Sequence, residues 1–221
     1  MTRISKDSSN GRATVAGSTL ATFTEDVSAQ DQQAVLDCTL YLEQYTDTFY
    51  DRETQWYEWL QHYTLGLWNL GWWHERPVML ESLKTTLYEP ISDVVLKKLK
   101  PVVTPSLYDV TSSAFLALKD NLDASRALNL KSSREKGRDL QVMPCTYDRQ
   151  GNLTIAFHHL WFAYAKTTEQ FLFLRWENHD VTLVMHYGVF TLDRKRFSEL
   201  AEAMRKKITE RSLSYLVNMK L

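Results

Sequence analysis

Residues 140–163, LQVMPCTYDRQGNLTIAFHHLWFA, decide the fold class. On either side of DRQGN (148–152) the apolar positions recur every second residue, the period of a strand with two unlike faces. Gly151 supplies the positive φ that a tight hairpin needs. The stretch predicts two strands, 140–147 and 153–165. Residues 169–177 and 181–191 have the same character, with ENHD (177–180) as a second tight turn in which Asn178 best tolerates the backbone. Connections this short join antiparallel neighbours, so the expectation is a four-stranded antiparallel meander. Pro144 cannot donate to a ladder, which places the first strand at an edge.

Upstream of Arg138 the period is 3.6. Val35, Cys38, Leu42, Tyr45 and Phe49 step by three and four, the spacing of one buried helix face over 29–50, and Ser28 is the expected N-cap. Trp56, Leu60, Tyr63, Leu67 and Leu70 repeat the steps over 53–70, with Asp51 as cap and Gly71 as the left-handed C′ residue. So few residues separate the two that an αα-hairpin is expected. Residues 72–80 read as extended, a short edge strand. Residues 91–100 read as a helix stopped by Pro101, and 106–120 as one capped by Thr104 with Pro105 in its first turn. Residues 122–133 add a further turn or two before the polar KSSREKGRD breaks the pattern. Asp193 caps a closing helix over 194–208 that reads as able to continue toward Val217.

The fold expected is α+β, with N-terminal helices packed on the meander and a closing C-terminal helix. Residues 1–24, rich in Ser and Thr without either period, read as a mobile tail. Residues 25–221 read as a single domain, helical over 28–135, with the sheet and closing helix over 139–221.

Composition narrows the function classes. The chain has 221 residues, 44% hydrophobic and 24% charged, with 26 basic and 27 acidic side chains and a net charge of −1. Disorder, a disulfide scaffold and a nucleic-acid footprint are disfavoured. Cys38 and Cys145 read as reduced, partly buried thiols. The N-terminus has no apolar run of the signal-peptide kind and no stretch is long enough to span a bilayer, so a cytoplasmic protein, or one exported without a Sec signal peptide, is expected. Glycine is scarce, 7 residues or about 3% against roughly 7% in ordinary chains. Tryptophan is also 7, and Trp56, Trp59, Trp68, Trp72 and Trp73 fall close together.

That tryptophan segment is the sharpest signal for a site. Trp59 lies about 300° around the helix from Trp56, so indoles occupy more than one face. A helix pressed between a sheet and a second helix uses both faces as core, and this is the first reading. The functional alternatives are an aromatic-lined pocket and a membrane-interface belt; the latter lacks the usual polybasic face. His158 and His159 are consecutive in a strand and point to opposite faces, so they cannot share a metal, and His186 could face either. No metal, cofactor or catalytic constellation is read: GxSxG, P-loop, GxGxxG, HExxH and CxxC patterns are all missing. Asp51-Arg52-Glu53 and Trp72-Trp73-His74-Glu75-Arg76 mix acid, base and cation, but read as ion pairs and caps. Arg194-Lys195-Arg196 and Arg205-Lys206-Lys207 interleave with Glu199, Glu202 and Glu210, an ordinary solvated face.

Two stretches carry a resemblance. The first is Asp51-Arg52 with Trp56-Tyr57, Tyr63, Leu67 and Gly71-Trp72; the second runs from Phe171-Leu172-Phe173-Leu174-Arg175-Trp176 through Leu192-Asp193 to a closing helix with Tyr215 near the C-terminus. Together they resemble a bacterial and fungal α+β family with no assigned activity. The resemblance implies a shared fold and, loosely, bacteria that live with eukaryotic hosts.

The functional expectation is a soluble, non-enzymatic protein that acts by binding an unknown protein or a small apolar ligand, of the toxin-like or virulence-associated kind. A membrane-active protein using helix 53–73 is the second reading. A small-molecule binder is the third, with Trp56, Trp59, Trp68, Trp72 and His159 as candidate ligand-binding residues. Exposure of the indoles, and a cavity against them, separate the three.

Overall fold

A computed structural model describes residues 11–74, 79–86, 89–134, 137–163, 172–173, 180–208 and 216–221. In chain order the elements are β1 (Arg12–Ala16), β2 (Thr19–Phe23), α1 (Ala29–Thr46), α2 (Trp56–Asn69), β3 (Trp72–His74), β4 (Met79–Thr86), α3 (Ile91–Leu99), α4 (Pro105–Asp120), α5 (Leu122–Ser132), β5 (Ser133–Arg134), β6 (Gly137–Tyr147), β7 (Leu153–Ala163), β8 (Asp180–Leu192), α6 (Arg194–Arg205) and β9 (Leu216–Lys220).

The architecture is α+β, but the four-stranded antiparallel meander is wrong. The strands form one nine-stranded mixed sheet in the order β3–β8–β7–β6–β2–β1–β9, with β4 beside β3 on the same edge of β8 and β5 on β6. Strand β8 pairs directly with β7, Thr154 opposite Thr191 and Ala163 opposite Thr182, so no strand from 169–177 lies between them. Leu172 and Phe173 lie in a turn, and the Leu172 carbonyl accepts from Ser92 N at 3.0 Å; the rest of 169–177, and the turn expected at 177–179, lie outside the described residues.

Residues 11–24 are not a mobile tail. β1 and β2 form a hairpin through Gly17–Ser18, and β2 runs parallel to β6, Thr19 opposite Gln141 and Phe23 opposite Cys145. All five residues of β2 are buried. A strand covered on both faces need not alternate, and TLATF therefore carries no period-2 signature. Residues 1–10 lie outside the described residues. The second omission is β9, which pairs with β1, Met219 opposite Ala13, in the region where the closing helix was expected to continue.

β6 is consequently internal, between β7 and β2, and Pro144 is not on an edge. The ladder to β7 runs from Gly137 to Val142 and resumes at Cys145, passing over Met143 and Pro144, where one N–H is missing.

Helices cover both faces of the sheet. On one side α1, α2 and α6 pack Val35, Leu42, Tyr63, Leu67 and Phe197 against sheet residues such as Phe23, Ile155, Phe157 and Phe190. On the other, α3, α4 and α5 pack Val95, Phe115, Leu118 and Leu128 against Val15, Leu140, Phe162 and Met185. Local signals set several helix ends. Ser28 accepts from Asp31 N, Thr104 from Leu107 N and Asp193 from Arg196 N. Gly71, at φ +91°, follows α2, and its carbonyl accepts from Asp193 N at 2.8 Å.

The junction between α1 and α2 departs from the expected tight hairpin. Residues 47–55 connect the helices, and Asp51 accepts from Glu53 N (2.7 Å) and Thr54 N (3.0 Å), closing a turn ahead of α2. Tyr45 and Phe49, expected inside, are exposed. On α6 the basic residues are not all solvated: Arg194 pairs with Asp31 and Arg205 with Asp37, both at 2.5 Å and both on α1. Burial of those two carboxylates demands a cation from outside their own helix.

Candidate ligand groove

Helix α2 turns a different face to the core than the stripe counted from Trp56. Trp59, Leu60, Tyr63 and Leu67 are buried, whereas Trp56 is half-buried. The rotation leaves Tyr57, Gln61, Thr64 and Trp68 in a row at intervals of three and four along the flank of the helix. That flank is one wall of a groove of about 490 Å³. The opposite wall carries His74 from β3 and His186 from β8. The groove is open to solvent past exposed Leu65. No Asp, Glu, Lys or Arg lines it among the described residues.

Rings dominate the walls. Trp68 stands edge-on to Trp73 at 4.2 Å between centroids and 5.6 Å from His74. The His186 ring lies 5.6 Å from Trp56 and 6.3 Å from Tyr57, and Trp56 also stacks on Trp161 at 5.8 Å.

A buried polar network backs the groove. His186 pairs across the sheet with His159, their rings 5.8 Å apart. His159 Nε2 meets Asp139 Oδ1 at 2.9 Å, and both side chains are fully buried. Arg134 approaches the other Asp139 oxygen at 3.7 Å. Arg52 lies 4.1 Å over the Trp59 ring, donates to Asp47 through Nε at 2.6 Å and to Ser18 Oγ through Nη1 at 2.8 Å, and pairs with Glu43 at 3.4 Å. The Trp59 indole donates to Asp47 at 2.8 Å. Glu43 also accepts from Ser18 N at 3.0 Å, which fastens the β1–β2 turn to α1.

Burial and neighbouring charge set the protonation states. Burial, and after it the neighbouring His159 ring, push His186 down to about 4, so His186 is neutral at pH 7. Burial alone would raise Asp139, but His159, Arg52 and Arg134 hold it well below the usual carboxylate range. For Arg52 burial is outweighed by Glu43, Asp47 and Asp139, which raise its affinity for the proton. Burial lifts Cys38 to about 12 and Cys145 well above the ordinary thiol range, so neither is a ready nucleophile at neutral pH. Among the described residues no cluster of three His, Cys, Asp or Glu side chains could hold a metal ion.

The five residues singled out from sequence do not form one pocket. Trp68 lines the groove. Trp56 meets the groove wall only through His186. His159 is fully buried and pairs across the sheet with His186 of the wall. Trp59 is core, between Arg52 and Tyr63. Trp72 is core on β3, its indole donating to Cys38 Sγ at 3.3 Å. Gln61 and Thr64 escaped the sequence reading; Tyr57 entered it only through the resemblance, His74 only within a mixed cluster read as ion pairs and caps, and His186 only as a histidine of undetermined facing. The signal for His186 is the β7–β8 register, which places it opposite His159, but residues 164–179 separate the two strands and local pattern does not set that register.

No family model matches the chain, and neither does any curated protein. Among solved structures it is similar to a delta-endotoxin, with a TM-score of 0.43 and 11% identity over 80% of this chain and 84% of that one. It is also similar to the Evf virulence factor, with a TM-score of 0.35 and 12% identity over 96% of this chain and 85% of that one. Likeness at this level carries no argument about activity. No helix among the described residues is long and apolar enough to cross a membrane.

Proposed function

We propose that the protein acts by binding, and that its ligand is a small, largely apolar molecule held between α2 and the β3–β8 edge. The observation that carries this reading is the groove itself. At about 490 Å³ it falls within the range of small-molecule sites, and its walls are mostly apolar and aromatic. The tryptophan-rich helix is in contact with this groove through Trp68, while its deeper indoles serve the core. A membrane-inserting helix has less support: Trp59 and Trp72 are wholly buried, and each indole N–H already has a partner in Asp47 or Cys38. The groove does not bear on a toxin-like or virulence-associated setting, which gains no argument from it.

Titration of the full chain with naphthalene, followed by indole fluorescence and by amide shifts of α2, tests the reading. Thr64→Phe fills the groove from a half-buried position whose hydroxyl bonds only to its own helix. It is expected to weaken naphthalene binding tenfold or more while leaving the unfolding midpoint close to that of the parent. Undiminished binding by Thr64→Phe, or no binding by the parent, removes the proposal.

A further inference from the structure

We propose that His186 is the polar recognition element of the groove, and that the ligand is an uncharged, fused-ring aromatic bearing a hydroxyl group. This rests on the groove reading above.

His186 is 2% exposed and lies on the groove wall, yet neither ring nitrogen has a hydrogen-bond partner among the described residues. Buried polar groups are rarely left so, because desolvation is then uncompensated. The neighbouring histidines show the contrast. His159 Nε2 has Asp139, and His158 Nδ1 has the Ala156 carbonyl at 3.1 Å. His186 alone of the three borders open volume.

The chemistry of the missing partner follows from the ring. A neutral imidazole presents one N–H donor and one bare acceptor nitrogen. A hydroxyl can both donate and accept, so it answers either edge in either tautomer. A charged ligand fits worse. The groove lining offers an anion no cation and a cation no carboxylate among the described residues. Behind the wall, Asp139 is already engaged by His159 and Arg134.

The body of the ligand follows from the walls. Tyr57, Trp68, His74 and His186 present rings to the space, which suits offset or edge-on stacking of a flat partner. A dry cavity of about 150 Å³ admits benzene; this groove is several times larger and calls for fused rings rather than one.

The probes are 2-naphthol and naphthalene, titrated at pH 7 into the full chain and into His186→Phe. The parent is expected to bind 2-naphthol at least tenfold more tightly than naphthalene. In His186→Phe the two affinities converge, with naphthalene affinity retained. Should that variant fail to fold, the ¹⁵N shifts of the His186 ring in the parent decide: they move with 2-naphthol and stay with naphthalene. Equal affinity of the parent for both probes, or a His186 ring indifferent to bound 2-naphthol, overturns the inference while leaving the groove as an apolar binding site. Failure of both probes to bind overturns the groove reading and the inference together.

Discussion

His159 and His186 face each other across β7 and β8 with their rings 5.8 Å apart, and only His159 has a hydrogen-bond partner. One is held by buried Asp139 and the other borders the groove. The pair thus marks the seam between what holds the sheet to α1 and α2 and what is left open for a ligand.

Asp139→Asn takes the buried carboxylate away from His159 and Arg134. Removing one partner of such a pair destabilises by about 3–5 kcal/mol. Replacing both Asp139 and His159 by leucine is expected to recover much of that loss, because an apolar pair avoids the desolvation of two polar groups. Urea midpoints of the parent, the single and the double variant check this; a single variant as stable as the parent would show that the pair contributes nothing.

Stability is expected to fall as pH drops from about 6.5 to about 4. His158 and His186 are held near 4 in the fold by burial, against an ordinary value of 6.5, so the unfolded chain binds the extra protons in this window. The loss is absent above 6.5 and complete below 4. For His158, 2% exposed, it amounts to about 3 kcal/mol at most. His158→Phe, which keeps the stack on Tyr187, reduces the slope in that window to the part due to His186. Asp31, lowered by its bonds to Arg194 despite opposing burial, loses its contribution only at more acid pH, as its own folded pKa is passed. Denaturant midpoints at pH 7, 5.5 and 4.5 provide the test.

Gly17→Ala and Gly151→Ala separate backbone strain from packing. Both glycines have positive φ, +60° and +82°. A β-carbon at Gly151 meets nothing within 4 Å, while one at Gly17 lies 2.1 Å from Glu43 Oε2. Gly151→Ala therefore bears backbone strain alone, about 1 kcal/mol. Gly17→Ala adds displacement of a buried carboxylate from Ser18 and Arg52, and about 3 kcal/mol or more is expected. Thermal midpoints check the order; equal shifts would mean that the β1–β2 turn is not seated on Glu43.

What the sequence determined by itself is local. Ser28, Thr104 with Pro105, Gly71, Gly151 and Asp193 act within a few residues of themselves, and each holds a helix end or turn where its chemistry places it. The cores of β6, β7 and β8 were legible because their apolar faces alternate. Tertiary structure decided the rest. Residues 12–16, 19–23 and 216–220 became strands because neighbouring strands and helices on both sides supply the pairing and burial that their own composition does not announce. Pro144 lies inside the sheet because a ladder can pass over one missing N–H. The core face of α2 shifted toward Trp59 because Asp47 and Arg52, outside the helix, hold that indole. The groove is a product of that rotation together with the β7–β8 register, and periodicity along one chain segment encodes neither.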